Sequence, residues 1–195
     1  MEENKIEKGM ENVKDETEVK SDYEINPLTI AIIAMKVNGH YHSKVIEASE
    51  ESIQHIKRSP RKIMDLGCKY FGSSLQGRQE GARDVCGIQN KVPISVDPSS
   101  GMYFFPTASP QNPYCSWISH TYIDRIRKAP GRGTEFVFKD GSVIILEVSY
   151  GSMINQLQRT AQFRYLLDKR IHFTTMKKKN KDTKETEEED FFLFT

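Results

Sequence analysis

No run of apolar residues in this 195-residue chain approaches the roughly 18 needed to cross a membrane, and the N-terminal MEENKIEKGMENVKDE lacks the apolar core of a secretory signal. Both absences point to an intracellular protein, expected in the cytoplasm. Cysteine is scarce: Cys68, Cys86 and Cys115 are odd in number and share no paired CxxC spacing. A disulfide scaffold is therefore not supported, and reduced thiols are the preferred reading. The first 22 residues contain no aromatic ring and no apolar periodicity, so they bury too little to offset the entropy of ordering. They read as a disordered acidic tail. There is no internal repeat, and no helix-turn-helix pattern, paired zinc-ligand spacing or basic zipper region supports base reading by a recognition helix.

What is present is an uneven distribution of charge. The whole chain carries a net +1, yet residues 1–22 hold four lysines against eight acids and residues 176–195 hold five lysines against six acids. Residues 23–175 are left with 19 basic and 13 acidic side chains, a body of net +6. Such a body favours a polyanionic partner. The whole chain's 37% hydrophobic content over 195 residues suits one buried domain with tails: a tail at 1–22, a domain at 23–175, and a charged disordered tail at 176–195 that ends in the apolar FFLFT.

Within the domain the patterns are mostly those of strands. LTIAIIAMKV, Asn38, Gly39 and HYHSKVIEA read as a β-hairpin, because Asn-Gly supplies the two positive-φ positions of a tight turn. Ser52 to Lys57 reads as a helical turn, punctuated by SPRK at Ser59 to Lys62. A short central helix is expected with Ser73 or Ser74 as N-cap and Gly87 as terminator, although Gly77 and Gly81 inside it need a reason. KVPISV, MYFF and SWISHTYIDRI read as strands, and TEFVFKDGSVIILEV is a second hairpin about Asp140 and Gly141. From Ser149 the period becomes helical, with Tyr150, Met153, Ile154, Leu157, Ala161 and Tyr165 on one stripe. Phe163, Leu166 and Leu167 fall with Arg159 and Arg170 on the other side, which suggests a subunit interface. The expected fold class is α+β, a mainly antiparallel sheet with β-hairpins, a short central helix and a long C-terminal helix.

Gly72 to Gln79 reads GSSLQGRQ, with the glycine spacing of a nucleotide-binding phosphate loop. Arg78 and Gln79 stand where that loop needs lysine and a hydroxyl, so a nucleotide site is not expected. Helix-start amides, two serines and an arginine still suit a phosphate, including a nucleic-acid backbone; a capped helix packed on the sheet is the competing account. Cys115 and His120 invite a thiol-dependent mechanism, but their offset of five puts them on opposite faces of a strand. Cys68, Cys86, Cys115 and His120 have the atoms of a zinc site without chelating spacing, and His40 and His42 share a strand face that could hold a metal, with exposed strand histidines the preferred reading. SPRK can present its basic residues to an electronegative minor groove, or be an ordinary exposed turn. Basic residues gather in two regions: Lys57, Arg58, Arg61, Lys62, Lys69, Arg78 and Arg83, then Arg125, Arg127, Lys128 and Arg132.

YFGSSLQGRQEG, KVPISVDPS, FFPT and CSWISH, in this order and spacing, resemble the ComK family of competence transcription factors. The likeness is close from Lys69 to His120 and looser through SYGSMINQLQRTA; SPRK is not part of the family pattern. The resemblance implies an activator of DNA-uptake genes, not an enzyme, that binds A/T-rich promoter boxes as a homo-oligomer, largely through backbone and minor-groove contacts. The expected DNA-binding residues are Arg61, Lys62, Lys69, Ser73, Ser74, Arg78, Arg83, Arg125, Arg127 and Lys128. The ending Phe191, Phe192, Leu193 and Phe194 resembles the segment through which the family is captured by the adaptor MecA and passed to the Clp protease. No metal, cofactor or membrane is implied. The rivals are a phosphate-ligand or thiol-dependent enzyme using GSSLQGR or Cys115, and a scaffold that binds only proteins.

Overall fold

A computed structural model describes residues 19–48 and 53–192, with side chains to residue 171. Residues 1–18 of the acidic tail, and Leu193 and Phe194 of the apolar ending, lie outside the described residues; so do the side chains of Phe191 and Phe192. The strands are β1 (Val19–Lys20), β2 (Thr29–Val37), β3 (His40–Glu47), β4 (Ile53–Ile56), β5 (Ile94–Asp97), β6 (Met102–Pro106), β7 (Trp117–Ser119), β8 (Ile123–Lys128), β9 (Thr134–Phe138) and β10 (Val143–Leu146). The helices are α1 (Pro60–Tyr70), α2 (Leu75–Cys86) and α3 (Tyr150–Phe192). A seven-stranded sheet has the order β1-β4-β3-β2-β7-β6-β5, and a three-stranded sheet the order β10-β9-β8. All pairings are antiparallel except β1 with β4. The molecule is α+β, as its sequence pattern implies.

Apolar residues run consecutively through the middle strands, and neighbours along a strand point to opposite faces. Ile32, Val45, Phe104 and Trp117 look toward α1 and α2, where they meet Ile63, Met64, Cys68 and Leu75. Ala31, Ile46, Phe105 and Ile118 look the other way, onto Ile123, Ile126, Phe136 and Phe138 of the small sheet and Met153 of α3. Three layers result. A smaller cluster joins α2 to α3 through Ala82, Tyr103 and Phe163. The Asn38-Gly39 turn has both expected positive φ values, 50° and 83°, while at the second hairpin Gly141 takes φ 84° and Asp140 does not turn positive.

Several boundaries differ from the sequence expectation. Residues 53–56 form strand β4 instead of a helical turn, because Gln54 and His55 pair with Val45 and Lys44. Pairing to a neighbour overrides a four-residue local pattern. The tail expected to 22 is shorter among the described residues, since Val19 and Lys20 pair with His55 and Ile56, and Asp22 meets Arg58 at 2.8 Å. There are two central helices, not one: Pro60 occupies the first turn of α1, and Ile63, Met64, Gly67 and Cys68 form its buried stripe. SWISHTYIDRI is broken at 120–122, where the chain leaves the large sheet for the small one. The α3 backbone continues past residue 175 to Phe192.

On α3 the buried positions are Met153, Gln156, Thr160 and Phe163, while Tyr165 is 61% exposed and Ala161 is also exposed. Two polar residues were hidden from an apolar count. Gln156 Nε2 donates to the carbonyls of Lys91 (2.8 Å) and Pro106 (3.0 Å), and Thr160 Oγ1 donates to the Gln156 carbonyl. Phe163 therefore belongs to the core and not to an interface.

Gly67 shows why α1 tolerates glycine. A Cβ there would stand 2.7 Å from Ile25 Cδ1 and 3.2 Å from Ile25 Cβ, a side chain only 2% exposed. Replacing Gly67 with Ala should therefore destabilise the protein by about 1–3 kcal/mol, despite the roughly 1 kcal/mol gain in helix propensity. Urea unfolding of Gly67→Ala checks this; a rise in stability would show that Ile25 yields freely.

Candidate nucleic-acid interface

GSSLQGRQ is the connection from α1 into α2 and the start of α2. Ser74 is the N-cap: its backbone is extended and its Oγ accepts from the Gly77 amide at 3.0 Å. A Cβ on Gly77 would stand 3.3 Å from Ser74 Oγ and 3.4 Å from Ser73 Oγ, which gives that glycine its reason. Nothing lies within 4 Å of a Cβ placed on Gly81, and nothing in the structure explains that glycine.

The anion at the start of α2 is supplied by the chain itself. Asp65 Oδ1 accepts from the Leu75 amide at 3.2 Å, and its Oδ2 meets Lys69 Nζ at 2.9 Å. Burial works to raise the Asp65 carboxyl, but Lys69, the Leu75 amide and nearby Lys62 outweigh it and hold the group below its ordinary value. A carboxylate of α1 thus sits where a phosphate was considered, complementing the positive end of α2. The sequence pattern gave no sign of Asp65, because α1 itself was not visible as a helix.

Around this anchor α1 and α2 enclose a cleft of about 610 Å³, lined by Arg61, Lys62, Lys69, Ser74 and Arg83 among the expected contacts. Asp65, Gln76, Gln79 and Glu80 also line it, with Pro110 and Gln111 of a neighbouring loop. Arg61, Lys62 and Lys69 are exposed, whereas Arg83 is half-buried and its Nε reaches the Gln89 carbonyl at 3.5 Å. SPRK is the helix start and not a free turn, so Arg61 and Lys62 stand on a rigid first turn of α1.

Ser73 and Arg78 do not line the cleft. The Ser73 amide donates to the Cys68 carbonyl at 3.0 Å; Arg78 is half-buried and its Nη2 donates to the Phe71 carbonyl at 3.2 Å. That arginine braces the turn between the helices.

The second cluster lies on β8, in the layer on the opposite face of the large sheet from α1 and α2. Arg125 pairs with Asp124 at 2.6 Å, and Arg127 with Glu135 at 3.5 Å. Lys128 stands 5.7 Å from the Tyr150 ring centre and, with Arg132 and Ser149, lines a second hollow of about 590 Å³ at the start of α3. The two clusters are not brought onto one surface.

The thiol arrangement is inert. Cys115 is 2% exposed in the helix-side core, and burial pushes its thiol up to about 11. Burial, with Arg164 and Lys139 nearby, pushes His120 down to about 4, so it is neutral at pH 7. A protonated thiol without an imidazole in reach is not a nucleophile. Cys68 is likewise buried and pushed up to about 12. Among the described residues, no group of three His, Cys, Asp or Glu side chains is placed to hold a metal, so Cys68, Cys86, Cys115 and His120 do not assemble as one.

Fold and cleft together define a class: a small three-layer α+β protein that presents basic side chains from two packed helices. The family described as ComK protein matches residues 20–172, and the chain belongs to that family. It is similar to the competence transcription factor of Bacillus subtilis (strain 168), with 38% identity over 149 residues that cover 76% of this chain and 77% of the relative. No solved structure matches.

Asp65→Asn should cost about 1–2 kcal/mol near neutral pH, through loss of the charged bond to Lys69 and of the negative charge at the α2 start. Because the folded carboxyl lies below its unfolded value, this stabilisation is present above about pH 4 and fades as the pH falls through the folded value. Denaturant melts of both proteins from pH 7 to pH 3 should therefore converge at the acid end. A constant difference would remove the electrostatic account.

Proposed function

We propose that this protein is a DNA-binding transcription activator of the competence regulon that acts on A/T-rich promoter boxes. The observation that carries the reading is the gathering of Arg61, Lys62, Lys69 and Arg83 along one open cleft in a chain of the ComK family. Cations on two rigid helices suit the regularly spaced phosphates of a duplex, whose binding is driven by counterion release. Preference for A/T-rich sequence is then expected from minor-groove shape and deformability. The name of the Bacillus subtilis relative, a transcription factor, agrees with this.

Residues 23–175 form the proposed DNA-binding domain. Arg125, Arg127 and Lys128 are a second proposed contact. Because they lie on the opposite layer from the cleft, one straight duplex does not reach both, which favours bent DNA or a homo-oligomer. Arg78, with Ser73, enters as a brace of the α1–α2 turn, and Ser74 as the cap beside the cleft. Phe191, Phe192, Leu193 and Phe194 are the proposed docking segment for a MecA–Clp adaptor. Cytoplasmic, nucleoid-associated action is expected, and among the described residues no helix is long and apolar enough to cross a membrane.

Gel-shift titrations on A/T-rich and G/C-rich duplexes at several salt concentrations test the reading. Lys62→Ala and Arg83→Ala should each weaken all duplexes about equally and lower the salt slope by about 1. Glu80→Gln, which removes a negative charge from the cleft, should strengthen binding. Salt-independent or absent binding by the unaltered protein overturns the proposal.

A further inference from the structure

In the layer opposite the cleft, β10 is the outer strand of the three-stranded sheet, and no described strand lies beside its free edge. Such edges are ordinarily guarded by a lysine, a proline or a bulge. β10 has none of these: it reads Val-Ile-Ile-Leu and pairs with β9 in unbroken register. Ile144 and Leu146 pack on the core beneath the small sheet, whereas Val143 is 51% and Ile145 59% exposed. The outward face of the sheet grows more apolar toward this edge. It carries Arg125 and Arg127 on β8, Glu135 and Val137 on β9, and only Val143 and Ile145 on β10.

The free backbone groups of the edge belong to the same two residues. The Phe138 amide donates to the Ser142 carbonyl at 2.9 Å, and antiparallel partners exchange bonds at every second residue. Ser142, Ile144 and Leu146 therefore turn their backbone toward β9. The bond from the Ala129 amide to the Gly133 carbonyl, 3.1 Å, sets the matching alternation, in which Gly133, Glu135 and Val137 face β8. Val143 and Ile145 direct their N–H and C=O groups outward.

We propose that β10 is a self-association edge, which pairs antiparallel with β10 of a second copy about a two-fold axis at Ile144. In this register Val143 of each copy lies opposite Ile145 of the other. Each of these two pairs exchanges two backbone bonds, and Ile144 faces its own copy across the axis. A shift by two residues one way sets Ile145 against Gly141, and the other way sets Val143 against Glu147. Only the central register joins all four exposed apolar side chains, with Val137 of both copies beside them.

The charges at the strand ends fit the same arrangement. Glu147 follows β10 and Lys139 opens the turn before it; both are exposed, and among the described residues neither holds an ion pair. Asp140 is engaged by the Ser142 amide and hydroxyl at 2.9 and 2.7 Å. Antiparallel pairing brings Glu147 of each copy beside the turn that carries Lys139 of the other, and Gly141 puts no side chain between them. A different chain would satisfy the backbone bonds alone; the matched register and exchanged charges fit a second copy. The contact is short, so the assembly is reversible and concentration-dependent. It forms one six-stranded sheet with Arg125 and Arg127 of both copies on its outward face, the two β8 strands about 24 Å apart. This adds a surface to the homo-oligomer considered for DNA binding and does not rest on the DNA-binding reading.

Sedimentation of the full chain across a concentration series, without DNA, tests the interface. The expected result is an assembly of two chains or a multiple of two. Ile145→Lys, a charge placed at an exposed position, should raise the dissociation constant of the pairing at least about tenfold while leaving the melting temperature unshifted. Oxidation reads the register: Ile144→Cys sets two thiols across the axis at a Cα separation of about 4.5 Å and should form a disulfide between copies. Ile145→Cys and the unaltered chain should crosslink far more slowly. A chain that is monomeric at every concentration, an Ile145→Lys variant that assembles equally well, or crosslinking at 145 as fast as at 144 overturns the assignment. None of these readouts involves DNA, so their failure leaves the DNA-binding reading intact.

Discussion

The large sheet has to be covered on both faces, and most other features follow from this. Phe104 and Phe105, and likewise Trp117 and Ile118, are fully buried neighbours that point in opposite directions. A sheet with such strands needs a layer on each side. Here α1 and α2 form one and the β8–β10 sheet with the start of α3 forms the other. The division of basic residues is a by-product. Those on helices fall on one side of the molecule and those on β8 on the other, whatever their closeness in composition.

Within the helical layer, the Asp65 carboxylate ties α1 to α2 and fixes the cleft. It satisfies an amide at the start of α2, holds Lys69, and sets the separation of the walls that carry Arg61, Lys62 and Arg83. The glycine-rich stretch that resembles a phosphate loop is a well-capped helix start whose counter-charge comes from inside the chain. What it offers a polyanion is the orientation of neighbouring cations. Its own amides are largely engaged.

The elements most legible in the sequence were those with strong local chemistry. Asn38-Gly39, Asp140-Gly141, Ser74 and Gly87 marked turns and caps without reference to the rest of the chain, and Gly87 indeed takes a left-handed φ of 70°. Elements defined by distant partners were less visible. β4 is a strand because β3 lies beside it, and α1 hides its apolar stripe behind a glycine that makes room for Ile25. The α3 stripe was misdrawn at Ala161, Tyr165 and Phe163, because Gln156 and Thr160 are buried through hydrogen bonds that no hydropathy pattern records. Five of the ten expected contacts converge on the cleft because they share one helical layer, a grouping that nearness in sequence already hinted at. Asp65 and the wall residues Pro110 and Gln111 arrive from tertiary packing.

The end of the β2–β3 hairpin, residues 35–42, has a bearing on self-association. TIAIIAMKV is rich in β-branched and apolar residues, and past Ala34 no described strand lies beside either outer edge of the hairpin. Charged side chains are a common guard on such edges. Lys36 places a positive charge where another copy of the same hairpin would have to dock. A charge at that edge works as a gatekeeper against edge-to-edge aggregation, so replacement of Lys36 is constrained by the chain's own copies.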